Sequence, residues 1–378
     1  MIPPDEVYLD HNASSPLRPA VFEAMRPWLE GTQGNPSSVH SAGTRARAAL
    51  DDARARLAAQ VGARPEEIVF TSGGTEANNL ALFGVARATN PAHVVTSAIE
   101  HPSVRLSAEA LADEGVPVEF VAPGEDGVVR AGPFLAAVRA DTGLASLQWI
   151  NHETGAVHEV EEIAGNHGEY PLHVDAVQAF GRRSIDLTRT PIDLLTWTAH
   201  KIGGPHGIAA LFVRTGTPFR PMAHGGTQEH GMRPGTQPVA SAVGFARAAE
   251  LVFEERERRE ATHRRLRDAL IAHVTERFPD ARVFARVTAH PSTVCVGFRD
   301  VDREMLLVHL DLAGVRVSSG AACASGSIET SPVLRAMSVP EEWARGALRV
   351  SFGPETNEHD LERLIVALDA AITASKRP

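Results

Sequence analysis

Apolar positions along the chain fall into two alternating kinds of run. Short stretches rich in β-branched residues, 67–71, 93–97, 144–150, 172–175, 194–197 and 208–213, read as buried strands. Between them, segments such as 77–86 and 106–114 carry helical spacing. This alternation predicts a mainly parallel sheet with helices on both faces. Ligands of such sheets bind beyond the carboxyl ends of the strands. From Ala240 to about Val274 the pattern becomes one long helical stretch. Its charge run, Glu254 to Glu260, is expected to be a solvated face linking two domains. Farther on, 292–298 and 347–351 read as strands and 360–374 as a closing helix. No internal repeat interrupts this order.

Composition narrows the class. At 378 residues, 43% of them hydrophobic and 22% charged, the chain has the makeup of a globular protein with two domains. A net charge of -10 argues against general binding to nucleic acid or anionic membrane. No apolar run approaches a membrane span. The start, Met1-Ile2-Pro3-Pro4-Asp5-Glu6, lacks the basic flank and apolar stretch of a signal peptide. Two cysteines, Cys295 and Cys323, cannot build a disulfide framework or a cysteine metal site, so a cytoplasmic setting is expected. No histidine pair has zinc-helix spacing.

The candidate chemistry sits just after the strand runs. Only two lysines stand among the 37 Lys+Arg residues, Lys376 in the tail and Lys201 in Trp197-Thr198-Ala199-His200-Lys201. An amine can lose its proton and attack a carbonyl where a guanidinium cannot, which points to pyridoxal phosphate. The plain alternative is a lysine that survived in an arginine-rich chain. Thr71-Ser72-Gly73-Gly74-Thr75-Glu76 joins a strand to a helix and suits a phosphate, although such a turn is common. Asp175 ends an apolar strand, where an acid needs a positive partner such as a pyridinium nitrogen, or caps a helix. Gln178 follows one turn on, in reach of the ring's phenolic oxygen. Thr198 and His200 flank the lysine and suit the same phosphate. His101, in Glu100-His101-Pro102, could stack on a flat cofactor and exchange protons, or be structural. Cys323 lies among small residues, Ser318-Ser319-Gly320-Ala321-Ala322-Cys323-Ala324-Ser325-Gly326, where a thiol is a liability unless it is used. Cys295 alternates like a core strand residue and reads as inert.

In this order these motifs resemble the NifS/IscS-like cysteine desulfurases of the class V aminotransferase family. The likeness runs from Tyr8-Leu9-Asp10-His11-Asn12-Ala13 through Gly34-Asn35-Pro36-Ser37-Ser38, Gly225-Gly226-Thr227-Gln228-Glu229 and Arg233-Pro234-Gly235-Thr236 to Leu348-Arg349-Val350-Ser351-Phe352. The resemblance implies the α/β PLP-dependent transferase fold type I. Residues 15–255 would form a large domain around a mainly parallel seven-stranded sheet. Residues 1–14 and 256–378 would form a smaller α+β domain carrying the cysteine loop. It further implies that Lys201 binds the cofactor covalently, Asp175 pairs with the ring nitrogen, His101 stacks on the ring, and Gln178 contacts its phenolic oxygen. Gly74, Thr75, Thr198 and His200 would hold the phosphate, with Thr236 supplied across a homodimer interface. Asn35 and Arg349 would hold the carboxylate of L-cysteine, and Cys323 would take its sulfur for an acceptor protein. The chain departs from the family pattern at His152, where a second asparagine near the cofactor is usual, and at Thr227, His206 and Ala321. His152 leaves selenocysteine lysis, transamination or epimerisation on the same scaffold as alternatives, and a non-catalytic PLP-binding protein as a more distant one.

Overall fold

The computed structural model describes residues 6–31, 34–90, 92–320 and 330–375. Its strands are β1 (Val7–Tyr8), β2 (Ile68–Thr71), β3 (His93–Ser97), β4 (Val118–Val121), β5 (Thr142–Gln148), β6 (Leu172–Asp175), β7 (Leu194–Thr198), β8 (Ala209–Val213), β9 (Arg282–Phe284), β10 (Thr293–Gly297), β11 (Val315–Arg316) and β12 (Ala347–Ser351). Seven form one sheet in the order β2-β8-β7-β6-β5-β3-β4. Only β8 runs antiparallel to its neighbours, β2 and β7. Two reversals cancel, so β2 points the same way as β7, β6, β5 and β3. Their carboxyl ends therefore share one edge of the sheet, and the turns after them are neighbours.

Strand alternation divides the apolar residues between the two faces. Val69, Val94, Leu144, Leu194 and Leu211 pack under the helices Gly74–Thr89 and Pro102–Asp113. Phe70, Val95, Ala145, Leu195 and Phe212 join Leu50, Leu57 and Phe245 from the helices on the opposite face. Every residue of β2, β3, β6, β7 and β8 is buried, as strands covered on both sides must be. The edge strand β4 is half-exposed and carries Glu119, so it lacked the apolar density that made its neighbours legible.

The stretch from Ala240 to Val274 is a correction to the sequence reading. It forms two helices, Val239–Glu254 and Arg256–Arg277, not one. Neither proline nor glycine breaks it. The Val252 carbonyl is instead taken by Arg259 Nη2 at 2.9 Å, and Glu255 turns aside to form a bidentate pair with Arg18 at 2.6 and 3.0 Å. Part of the charge run is thus turned inward rather than solvated.

The second helix, with Arg303–Leu312 and Glu358–Ser375, packs on a small antiparallel sheet ordered β12-β10-β9 and on the parallel pair β1-β11. Leu266, Leu270, Val294, Val296, Leu348, Val350, Leu364 and Leu368 form its core, joined by Val7 and Leu9 from the start of the chain. Alternation again sets direction. Leu348 and Val350 face this core, while Arg349 between them, paired with Cys295, faces the large sheet's side.

One buried ion pair anchors the segment that carries Thr236. Glu229 and His230 sit at φ of 48° and 58°, a strained region for residues with a side chain. The Glu229 carboxylate accepts from Arg54 at 2.7 and 2.8 Å, from the Phe70 N–H at 2.7 Å and from Gln237 at 3.1 Å. Glu229→Ala would leave the Arg54 charge buried and unpaired. It is expected to cost about 3–5 kcal/mol in a urea unfolding titration.

Candidate active site

The carboxyl edge of the large sheet opens into a cavity of about 520 Å³. Gly74, Thr75, His101, His152, Asp175, Gln178, Thr198, His200, Lys201 and Arg349, each expected from the sequence, all line it. They arrive from the ends of β2, β3, β5, β6 and β7 of the large sheet, joined by Arg349 from β12 of the small one, so the two sheets together collect residues more than 270 positions apart.

Lys201 follows β7 in a tight turn closed by β8. Its Nζ donates to the carbonyls of Asn12 and Ala13, both at 2.6 Å. Burial, with Arg349 and Arg182 nearby, pulls its amine down to about 8 against the pull of Asp10 and Asp175. A lysine so placed reaches its uncharged, nucleophilic form near neutral pH.

Asp175 ends β6 with both oxygens occupied. Oδ1 accepts the Val177 N–H at 2.9 Å and Oδ2 accepts Asn78 Nδ2 at 2.8 Å. The two readings of this residue coexist: it closes the turn after β6, a turn and not a helix, and it faces the cavity. Gly74 opens the helix Gly74–Thr89 with no side chain capping its first N–H groups. A Cβ at Gly74 would meet Thr198 Cγ2 at 2.9 Å, so only glycine lets the helix start approach β7 this closely.

His101 caps the helix Pro102–Asp113 by accepting the Ser103 N–H on Nδ1 at 3.1 Å, which leaves the ring proton on Nε2. Burial holds its pKa below the usual histidine range, and Lys201 adds to this against Asp175. His152 meets it edge to face, with ring centroids 5.2 Å apart. Burial keeps His152 far below its ordinary value, helped by His101, Arg349 and Lys201. Burial likewise takes His200 down to about 3, beside Lys201 and the stacked ring of His206. At neutral pH these are uncharged rings, able to pack against a flat ligand or accept a hydrogen bond. Arg349 donates to Asp10 Oδ1 at 2.7 Å and to the carbonyls of His152 and Gly320 at 2.8 and 3.2 Å.

Four buried polar atoms of cavity-lining side chains have no partner among the described residues: Asn78 Oδ1, Gln178 Oε1, Thr198 Oγ1 and Arg349 Nε. Buried polar groups are normally satisfied, so this set marks a binding site for a polar ligand. An aldehyde cofactor with a phosphate and a hydroxylated ring fits: an amine, a carboxylate, an uncapped helix start and unpartnered side-chain groups surround one space.

Other expected residues lie elsewhere. Asn35 is exposed and its Oδ1 accepts the Ser37 N–H at 2.9 Å, and Thr236 is exposed; neither lines the cavity of this single chain. Cys323 lies outside the described residues. Cys295 is buried, and burial raises its thiol pKa far above the usual value, as an inert core residue requires. Among the described residues no group of histidines, cysteines and carboxylates is arranged to hold a metal ion, and no helix is long and apolar enough to cross a membrane.

The structure adds residues that sequence reasoning did not single out. Asn12 supplies the carbonyl shared by Lys201 and Gln178 Nε2. Asn78 orients Asp175. Glu100, buried under the cavity, accepts from Ser97 Oγ and the Gln148 N–H, and burial pushes it up to about 8. Glu153 accepts from Ser331 at 2.5 Å. Asn12 and Glu100 lie inside quoted motifs and Asn78 inside the helical segment 77–86, but nothing in their spacing reveals contacts made across the fold.

The profile of the aminotransferase class-V family matches residues 7–364. A protein of Dictyoglomus turgidum named cysteine desulfurase IscS is 40% identical over 97% of this chain and 94% of its own length. One from Cereibacter sphaeroides named cysteine desulfurase is 42% identical, covering 96% and 95%. Among solved structures, a NifS-like protein superposes with a TM-score of 0.91 at 31% identity, over 98% of this chain and all of the other. SspA in complex with cysteine gives 0.81 at 32% identity, over 92% and 99%.

The depressed amine at position 201 has a measurable consequence. Only the uncharged form attacks an aldehyde, so covalent uptake of pyridoxal phosphate by the cofactor-free protein should rise about tenfold per pH unit below 8 and level off above it. An unperturbed lysine would keep rising to about pH 10. Stopped-flow absorbance across that range distinguishes the two.

Proposed function

The chain belongs to the class V aminotransferase family and is a pyridoxal-phosphate-dependent cysteine desulfurase, and on that premise we propose how its residues divide the work. The observation that carries the assignment is the convergence of a depressed lysine amine, a buried aspartate and four unpartnered polar atoms on one cavity. When bound, pyridoxal phosphate supplies an electron-withdrawing ring that stabilises negative charge on the carbon beside the substrate amine.

Lys201 holds the cofactor. Once released by the incoming amine, its Nζ takes the proton from the substrate Cα. The Asn12 and Ala13 carbonyls steer Nζ within the cavity. Asp175, fixed by Asn78 and the Val177 N–H, would pair with the ring nitrogen. Gln178 and His152 attend the ring oxygen. Gly74, Thr75, Thr198 and His200 take the phosphate, with Thr236 from a second copy of the chain. Arg349 grips the substrate carboxylate through its planar guanidinium, aided by Asn35. His101, whose proton lies on Nε2, is the proton donor when alanine forms.

Cys323 is the sulfur acceptor. Its thiolate attacks the sulfur of L-cysteine; the S–S bond forms as the S–Cβ bond breaks, and the carbon keeps the electron pair and takes up a proton. The products are alanine and a persulfide on Cys323, from which sulfur passes to an acceptor protein for iron–sulfur cluster assembly or tRNA and cofactor thiolation. The division at 15–255 against 1–14 with 256–378, a homodimer and a cytoplasmic setting complete this reading. The core that joins Val7 and Leu9 to residues 266–372 supports the division, although Phe284, Cys295, Val333 and Leu334 pack with the large core across it, and the exposure of Thr236 supports the homodimer.

Incubation with ³⁵S-labelled cysteine should leave thiol-reversible label on the wild type and none on Cys323→Ser. Equal label on both would remove Cys323 from the reaction. Lys201→Ala should abolish both alanine release and borohydride-trappable cofactor while leaving the fold intact by circular dichroism.

A further inference from the structure

Lys201 also borders a second cavity, of about 20 Å³. That is room for a single water or a monatomic ion, and too little for a phosphate or carboxylate. Its walls include Arg182, Arg256, Arg259 and Lys201 against one acid, Glu260.

Among the described residues, the two innermost guanidiniums are incompletely satisfied. Arg182 donates through Nη2 to the neutral amide oxygen of Asn12 at 2.8 Å, and its Nη1 is buried without a partner. Arg259 gives Nη2 to the carbonyls of Gly181 and Val252 at 2.7 and 2.9 Å, and its Nε is buried without a partner. Among the described residues neither has a carboxylate within ion-pair distance. The nearby acids are engaged elsewhere: Glu255 with Arg18 at 2.6 Å and Glu260 with Arg264 at 2.8 Å.

Burying two guanidiniums side by side without a counter-charge is costly, and the cost falls on their neighbours as well. Burial, with repulsion from Arg259 and Arg349, pulls Arg182 down to about 9, and burial pulls Arg259 to about 10 against the opposing charge of Glu255, with Arg18 and Arg258 adding repulsion. A water could satisfy an orphan N–H but would leave the charge uncompensated. An anion small enough for the space does both.

We propose that this cavity is a halide site, occupied by chloride, in which Arg182 and Arg259 hold the ion and the ion offsets their field at Lys201. The site itself stands on charge and geometry, independently of the reaction assigned above.

The first test is crystallographic. Holoenzyme crystals soaked in sodium bromide should show an anomalous peak between Arg182 and Arg259, and Arg182→Gln crystals should lose it. A water there with no anomalous signal in the wild type, or a carboxylate from a second subunit filling the space, overturns the site. The second test needs no variant. At equal ionic strength the wild type should melt at a higher temperature in sodium chloride than in sodium gluconate, an anion too large to enter; identical melting overturns the site. The third reads the link to Lys201. Titration of the holoenzyme's visible absorbance band should give a midpoint at higher pH in chloride than in gluconate, because an anion favours the protonated form. A midpoint that does not move would overturn that link while leaving the bromide peak to decide the site.

Discussion

Asn12 is the knot on which the active cavity depends. Its carbonyl accepts from both Lys201 and Gln178, and its Oδ1 accepts from Arg182. Its Nδ2 donates to Thr293 and to the His152 carbonyl, while its N–H donates to Ser351. One buried residue, through backbone and side chain together, thereby ties the turns after β5, β6 and β7 to β10 and β12. The strands bring these pieces to one edge, but only a group with donors and acceptors pointing several ways can lock them together. An aspartate there would keep the size and forfeit the donors to β10 and to the turn after β5.

The cavity's electrostatics follow from what surrounds the lysine. Burial and two arginines push its proton away, while Asp10 and Asp175 pull it back, and the balance lands close to neutral pH. Three histidines nearby are held uncharged mainly by burial. The environment therefore tolerates negative charge on a ligand far better than positive charge, which suits a phosphorylated cofactor and a substrate carboxylate alike.

Much of this was legible in the chain itself. Strands buried on both faces write themselves as apolar runs, so six of the large sheet's seven strands were visible, and the exposed edge strand β4 was not. Lys201 stood out by rarity, and Asp175, His101 and Gly74 by following strands. The roles given to Arg349 and Thr236 came from the family likeness alone. What stayed hidden was set by contacts distant in sequence. The break at Glu255 depends on Arg18 and on a carbonyl captured by Arg259, neither of which leaves a local signature. The same holds for Asn12, whose importance lies wholly in partners scattered over more than 300 residues. His152, a departure from the family pattern, proved to line the cavity beside His101 with its backbone carbonyl bound by Arg349.

The lysine and the arginine reach their posts by unequal routes. Lys201 occupies the connection of an antiparallel hairpin, with Thr198 and Ala209 paired at its mouth, so neighbours in sequence set its backbone, while its amine is held by the distant Asn12 and Ala13 carbonyls. Arg349 is fixed by Asp10, 339 positions away, while Ser351 and Leu9 join backbones beside it. The turn that carries Lys201 is thus closed by strands adjacent in sequence, whereas the setting of Arg349 requires the last strand to meet the opening segment of the chain. Trimming the opening dozen residues would accordingly take Asp10 from Arg349 and Asn12 from the Lys201 amine in one stroke, leaving only the hairpin backbone as it was.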